Sequence, residues 1–443
     1  MLLGAARLKK RILALTVGLS TCLICISCGG YGGKKTTGAS GLPNRVLASQ
    51  SVASPVASPG LVIVDAFYDV LPRIPDIVAG NSPNLMAISP GRNVVAAFDA
   101  SSNTVYGISS ATEADIGHVS ILGPTQNMIV PTENPIGYAA VPSASVNGYS
   151  FQGAVQVVNF ATGQLITIAV ANAQNVVANS TASQLLVFSN DSNSMTVISP
   201  TAAAPPVDTS CYTNPPNAVC TVVPGFDRPV FAVVNGNTAY ILNCGAECGG
   251  VQASVMIFDI PSLTITQTIP VDAATWALLN GSTLYVTGTS PSPTNNACTG
   301  ETTAAKTCGR LDIIDLTTAK VTGSVVITDG YHDRMDFTNN GELFIGSYDC
   351  TNIGNAYTPS GGEIRGCLTI YNTTNNSITI PPDNGDVTGL QGFTTRYVEY
   401  VAENGNLRVY NTITNSLDFT YFLPQGTINI NGYVYDVKAI DFF

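Results

Sequence analysis

The chain has 443 residues and a formal charge of −11, with 11% charged and 45% apolar residues, against a usual charged share of about 25%. An acidic chain without a lysine and arginine face excludes nucleic acid as a partner, because phosphate neutralisation needs one, and it argues against steering to anionic lipid. Asn, Thr, Ser and Gly separate short apolar runs and no long helical periodicity appears, a composition of many short strands and tight turns.

The N-terminal segment reads as an export signal over residues 1–27. Arg7, Lys9, Lys10 and Arg11 form a positive region, and Ile12 to Ile26 is an apolar stretch shorter than a comfortable membrane span. The following ISCGGYGG places Ser27-Cys28 before glycines and resembles a bacterial lipobox, with Cys28 the lipidated residue, although Cys25 stands where Leu is usual. Leu19-Ser20-Thr21-Cys22 is a second candidate, and a cleaved signal peptide without lipid is the alternative. Residues 28–44, rich in Gly, Ser, Thr and Lys, read as a flexible tether.

From residue 45 onward one phrase recurs eight times, an apolar run, a polar turn and a second run. It begins near Leu61, Thr104, Val155, Met195, Val255, Leu311, Leu368 and Leu407. A period of roughly 40–60 residues points to a closed ring of small sheets. The phrase is the third strand (c) of each unit. Runs such as NLMAIS and PVFAVV supply strand a, and NVVAAFD, LLVFSN, TAYILN and ELFIGS supply strand b. Asn235-Gly236, Asn280-Gly281 and Asn340-Gly341 mark tight a–b hairpins. Several runs are apolar on both faces, as a sheet sandwiched between two neighbours requires. The N-terminal unit offers RVLASQ, GLVIVDAFYDV and IPDIVAG but no strand a, whereas GYVYDVKAIDFF at the other end is an orphan strand a. Together they complete one unit. The expected fold is all-β, an eight-bladed propeller of four-stranded antiparallel blades over 45–443, closed by pairing of the terminal strands. Seven blades is the alternative if Gln174–Val223 is not a blade.

LYVTGTS at Leu284–Ser290 followed by LDIIDLTTAKVTGSV resembles the YVTN-type, WD40-like propeller repeat of surface and periplasmic proteins. The resemblance covers most of 45–443 in outline, and units such as LLVFSND and LFIGSYD are degenerate. It implies architecture strongly and activity weakly.

Eight cysteines follow the leader. Their spacing suggests local disulfides, Cys211–Cys220, Cys244–Cys248, Cys298–Cys308 and Cys350–Cys367, as an exported chain favours. The last three pairs fall in b–c connections. No CxxC occurs and the chain has only two histidines, so no metal centre is expected.

In a propeller the b–c and d–a loops share one face. The d–a connections there carry Asp227, Arg228, Asp272, Asp436 and the His332-Asp333-Arg334 group, the best site candidate in a chain this poor in charge. His332 could act as a general base with Asp333 or Arg334 as partner. Trp276, on an inner strand, packs near the channel or stacks on a ligand. His118 lies in an outer strand. No GxSxG elbow, HExxH, P-loop or EF-hand loop is present, and no cofactor is expected. These features suggest an exported monomer, anchored in a cell envelope by its lipid, that binds a protein or glycan partner. A lactonase-like hydrolase with its site at the channel mouth is the rival, and a structural spacer a third reading.

Overall fold

Each of the eight phrases forms the third strand of its own antiparallel sheet: Gly60–Asp65, Thr104–Ser109, Gln152–Asn159, Ser194–Ile198, Ser254–Asp259, Cys308–Asp315, Leu368–Asn372 and Asn406–Asn411. In this computed structural model the described residues are 38–52, 60–73, 76–213, 215–290, 308–350, 366–381, 385–420, 423 and 425–441. Cys28, with the rest of the leader, and Cys298 lie outside them, as does the side chain of Cys308.

The eight sheets are the blades of a β-propeller, numbered here from the closing one as blade 1. Their inner strands are Val437–Ala439, Pro83–Ile88, Asn127–Ile129, Ala173–Ala178, Pro229–Asn235, Trp276–Asn280, Tyr331–Phe337 and Val387–Gly392. Each inner strand touches the next, and the last touches the first, so the ring is complete. The stretch 174–223 is a true blade, which settles the count at eight. Two sheets carry a fifth strand. Val207–Asp208, from the connection in blade 4, pairs parallel with Gln164–Ala169 of blade 3, and Thr427–Ile428 pairs with the third strand of blade 8.

Two-sided burial has a direct cause. Along Val94–Asp99, fully buried, Val95 and Ala97 pack toward blade 1 while Val94, Ala96 and Phe98 pack toward blade 3. The described core divides into eight clusters of this kind, one for each interface between neighbouring blades. Apolar residues are therefore needed at every strand position, and period-2 alternation disappears from the sequence. Gly107 belongs to the same logic: a Cβ there would lie 2.3 Å from the ring of Phe160 in the next blade.

The a–b hairpins form where Asn-Gly pairs stand. Asn235 pairs with Thr238 and Asn280 with Thr283, leaving two-residue turns that begin at Gly236 and Gly281, both at positive φ (60° and 59°). Glycine at the first central position, with φ positive there alone, is the type II′ pattern, which matches strand twist.

Closure is by the terminal strands. Val46, Leu47 and Ala48 pair with Ala439, Lys438 and Val437. Arg45 then grips both ends. Its Nε and Nη2 donate to Asp441 at 2.9 Å each, and its Nη1 donates to Glu113 of blade 2 at 2.6 Å. Ser40, read from the sequence as part of the tether, donates from its N–H and Oγ to the same Glu113 carboxylate.

Candidate functional site

Successive inner strands touch around the channel without pairing with one another as a sheet, and polar side chains bridge them. The N–H of Met86 donates to Asp436, that of Val176 to Asn127 and that of Ala439 to Gln391. Asn175 donates to the Val230 carbonyl, Thr275 to the His332 carbonyl and Arg334 to the Thr388 carbonyl. The polar residues of the inner strands thus have a structural use, buried backbone groups being costly to leave unpaired.

A second regularity aims side chains into the channel mouth. Five inner strands carry a β-bulge near their start, at the second position or, for Asp333, the third, where the register skips Asn84, Gln174, Val230, Asp333 and Thr388. A bulge places two consecutive residues against one partner and re-aims a side chain. All five skipped residues line the two cavities at the mouth.

The larger cavity, about 600 Å³, is lined among others by Trp276, Tyr331, Asp333, Arg334, Asp436 and Lys438. The smaller, about 310 Å³, shares Gln126, Gln174, Asn175, Tyr331 and Tyr348 with it and adds Asn190, Asp191 and Arg228. The cations of the larger cavity are paired. Arg334 Nη1 lies 3.0 Å from Asp333 Oδ2, and Lys438 Nζ lies 2.7 Å from Asp436 Oδ1. Burial pushes the Asp333 carboxyl above its ordinary range, against the pull of Arg334, and Asp333 Oδ1 is buried without a hydrogen-bond partner. The rings of Tyr331 and Tyr348 sit 5.1 Å apart. Burial, with Asp333 next, pushes the Tyr331 phenol up to about 12 and raises that of Tyr348, so both stay neutral donors near pH 7. Trp276, the only tryptophan of the chain, stacks on Phe231 at 4.0 Å and 17°.

The candidates read from the sequence separate into two groups. Asp333, Arg334, Asp436, Trp276 and Arg228 line the mouth. His332 does not: it is fully buried, its Nε2 lies 3.0 Å from the Thr328 carbonyl oxygen, and burial lowers its pKa to about 4. Asp227 accepts from the N–H groups of Val251 and Gln252 and fixes the loop closed by Cys244–Cys248. Asp272 pairs with Arg310 at 2.6 Å on the outer part of blade 6. His118 is exposed on its outer strand and bonds Asp115.

Three groups escaped the sequence reading. Glu247, on the single turn Gly245–Cys248, accepts the Thr289 N–H at 2.8 Å, and burial pushes its carboxyl up to about 7. It is close enough to Tyr331 to act on that phenol electrostatically. Deeper in the ring, Glu399 is fully buried with its carboxyl held well above the ordinary range by desolvation and by neighbouring Asp336. Gly392 makes room for the pair, since a Cβ there would meet Glu399 Oε2 at 2.4 Å. The third is an amide chain on the rim: Asn190 donates to Gln174, which donates to Gln126, both at 3.0 Å. An isolated Glu in a Gly-rich loop, or Gln and Asn in a chain full of them, carries no signal in sequence.

Disulfides Cys211–Cys220, Cys244–Cys248 and Cys350–Cys367 are formed, and the last two sit in b–c connections beside the mouth. Among the described residues no group of three or more potential metal ligands assembles, and no helix is long and apolar enough to cross a membrane.

No protein-family model and no curated protein matches the sequence. Solved structures do match in shape. The dihydro-heme d1 dehydrogenase NirN in complex with DHE aligns with a TM-score of 0.55 at 12% identity, over 90% of this chain and 75% of that one. Kuenenia stuttgartiensis hydrazine synthase gives 0.43 at 12% identity over 81% and 86% of the two chains. The Myceliophteria thermophila Cps50 (Swd1) β-propeller domain gives 0.47 at 10% identity over 74% and 95%. At such identity the likeness concerns the WD40-like propeller fold alone.

Proposed function

We propose that this chain is an exported binding module whose ligand, a protein or glycan of the cell envelope, seats in the channel mouth on the face of the cysteine-closed loops. The observation that carries the reading is the convergence of bulge-aimed side chains from several blades on one cavity of about 600 Å³, a size class that holds small ligands or a chain end. Disulfides in the loops fit an oxidising compartment, and the leader with its Cys28 lipobox supports export and anchoring. The hydrolase reading loses the base it was built on, since His332 is buried and does not reach the mouth.

Gln126 is exposed on the rim, so Gln126→Trp fills the mouth without touching the core. Immobilised wild-type protein, incubated with envelope extract, is expected to retain a protein or glycan component, and the variant at least ten-fold less of it, with an unchanged melting temperature. Equal retention by both proteins would place the ligand elsewhere and overturn the reading.

A further inference from the structure

We infer that the occupant of the channel mouth is a neutral oligosaccharide, held by stacking on Trp276 and by the uncharged polar groups around it. This rests on the mouth being the binding site, and it narrows the ligand to one chemistry.

Arg334 is taken by Asp333, Lys438 by Asp436 and Arg228 by Asp191, the last at 3.6 Å. Each cation that lines the two cavities thus has an acid of the same lining beside it. Asp349 and Asp386 add two more carboxylates, and one of the Asp386 oxygens accepts the Asp349 N–H. The excess is acidic, so an anionic ligand meets repulsion.

Neutral polar groups dominate what is left. Tyr331, Tyr348, Tyr433 and Tyr435 line the larger cavity, and none of their hydroxyls forms a hydrogen bond to a described residue. Asn84 Oδ1 is buried there without a partner. The amide chain Asn190, Gln174 and Gln126 crosses from one cavity to the other. Side-chain amides present a donor and an acceptor side by side, which suits neighbouring hydroxyls of a sugar, and phenols both give and accept. No charge is needed for any of these contacts.

A sugar ring has one face of C–H bonds that packs on an aromatic surface while its hydroxyls point outward, the same division of apolar body and polar tip that aromatic residues carry at interfaces. Trp276 lines the cavity with its indole already immobilised by Phe231 of the adjacent blade, so little side-chain freedom remains to be lost on binding.

The sole tryptophan is also the reporter. Full-length protein is titrated with a panel of neutral trisaccharides built on glucose, mannose, galactose and N-acetylglucosamine, following tryptophan emission and binding heat. At least one member is expected to shift the emission saturably, with an affinity that barely changes between low and high salt. Gln174→Ala and Tyr348→Phe are each expected to weaken it ten-fold or more with the fold intact by circular dichroism. No saturable response from any member overturns the inference. So does a response only to a lysine- and arginine-rich peptide, or a strong salt dependence. In those cases the mouth itself still stands if Gln126→Trp loses its envelope ligand, and falls with it if that variant retains the ligand fully.

Discussion

Asp436→Ala is expected to lower the stability of the fold by about 3 kcal/mol and to empty the mouth of its order. Asp436 is 1% exposed. One carboxylate oxygen accepts Lys438 Nζ at 2.7 Å, and the other accepts the Met86 N–H at 2.8 Å, from a residue 350 positions away. The aspartate therefore locks the last strand of the chain to the inner strand of blade 2. Removing it leaves an ammonium in the cavity without its acid, and breaking a buried pair costs about 3–5 kcal/mol. Lys438 keeps some access to solvent, its side chain being 20% exposed, which puts the effect at the lower end. The lost Met86 bond adds a buried donor without an acceptor. Urea unfolding of the wild type, Asp436→Ala and Asp436→Asn measures this. The Asn variant retains an acceptor for Met86 and is expected to fall between the other two. A loss below about 1 kcal/mol for the Ala variant, the worth of an exposed ion pair, would show that the aspartate does not join the blades.

Cys350→Ser/Cys367→Ser is expected to cost a similar amount. The bond spans 17 residues, and chain entropy for a loop of that length corresponds to about 3 kcal/mol. Its position gives it a second effect. Ser347 donates from its N–H and Oγ to the Cys367 carbonyl, and Asp349 donates to Asp386. Tyr348 lies between these contacts, so the strand end that presents it to the cavity depends on the clasp. The double variant is expected to unfold at lower temperature than the wild type and to show a changed quenching of Trp276 emission by iodide. An unchanged melting temperature would mean that the loop is held without the disulfide.

The architecture was legible because it repeats. Each blade must bury both faces and return by the same turns, so the phrase at Leu61 and the phrase at Leu407 carry the same pattern of runs and turn residues. Closure was legible for a related reason: RVLASQ lacked a partner strand and YDVKAI had no sheet of its own. The pairings Cys211–Cys220, Cys244–Cys248 and Cys350–Cys367 followed from spacing. The site was only partly legible. His332, Asp333 and Arg334 look like one cluster in sequence, but successive strand residues point to opposite faces. The bulge between His332 and Arg334 brings Asp333 and Arg334 to the cavity side together and leaves the imidazole between blades. Bulges carry no reliable mark in a sequence, and four others set Asn84, Gln174, Val230 and Thr388. Tyr433 and Tyr435 reach the mouth only because the chain end returns to the start of the ring.

That return is what everything at the mouth depends on, since the closing strand Val437–Ala439 and the segment leading into it supply Lys438, Tyr433, Tyr435 and Asp436 to the cavity. Ala48 and Val437 are register partners. The flanking pairs carry the hydrogen bonds, Ser49 N–H to the Asp436 carbonyl and Ile440 N–H to the Arg45 carbonyl. Ala48 and Val437 are therefore a non-hydrogen-bonded pair with Cα atoms about 4.5 Å apart, within the range a disulfide bridges. Peptide mapping of Ala48→Cys/Val437→Cys under non-reducing conditions is the direct test. A covalent link between positions 48 and 437 in the folded monomer is the expected result, and two free thiols at those positions would contradict a ring closed by its own ends.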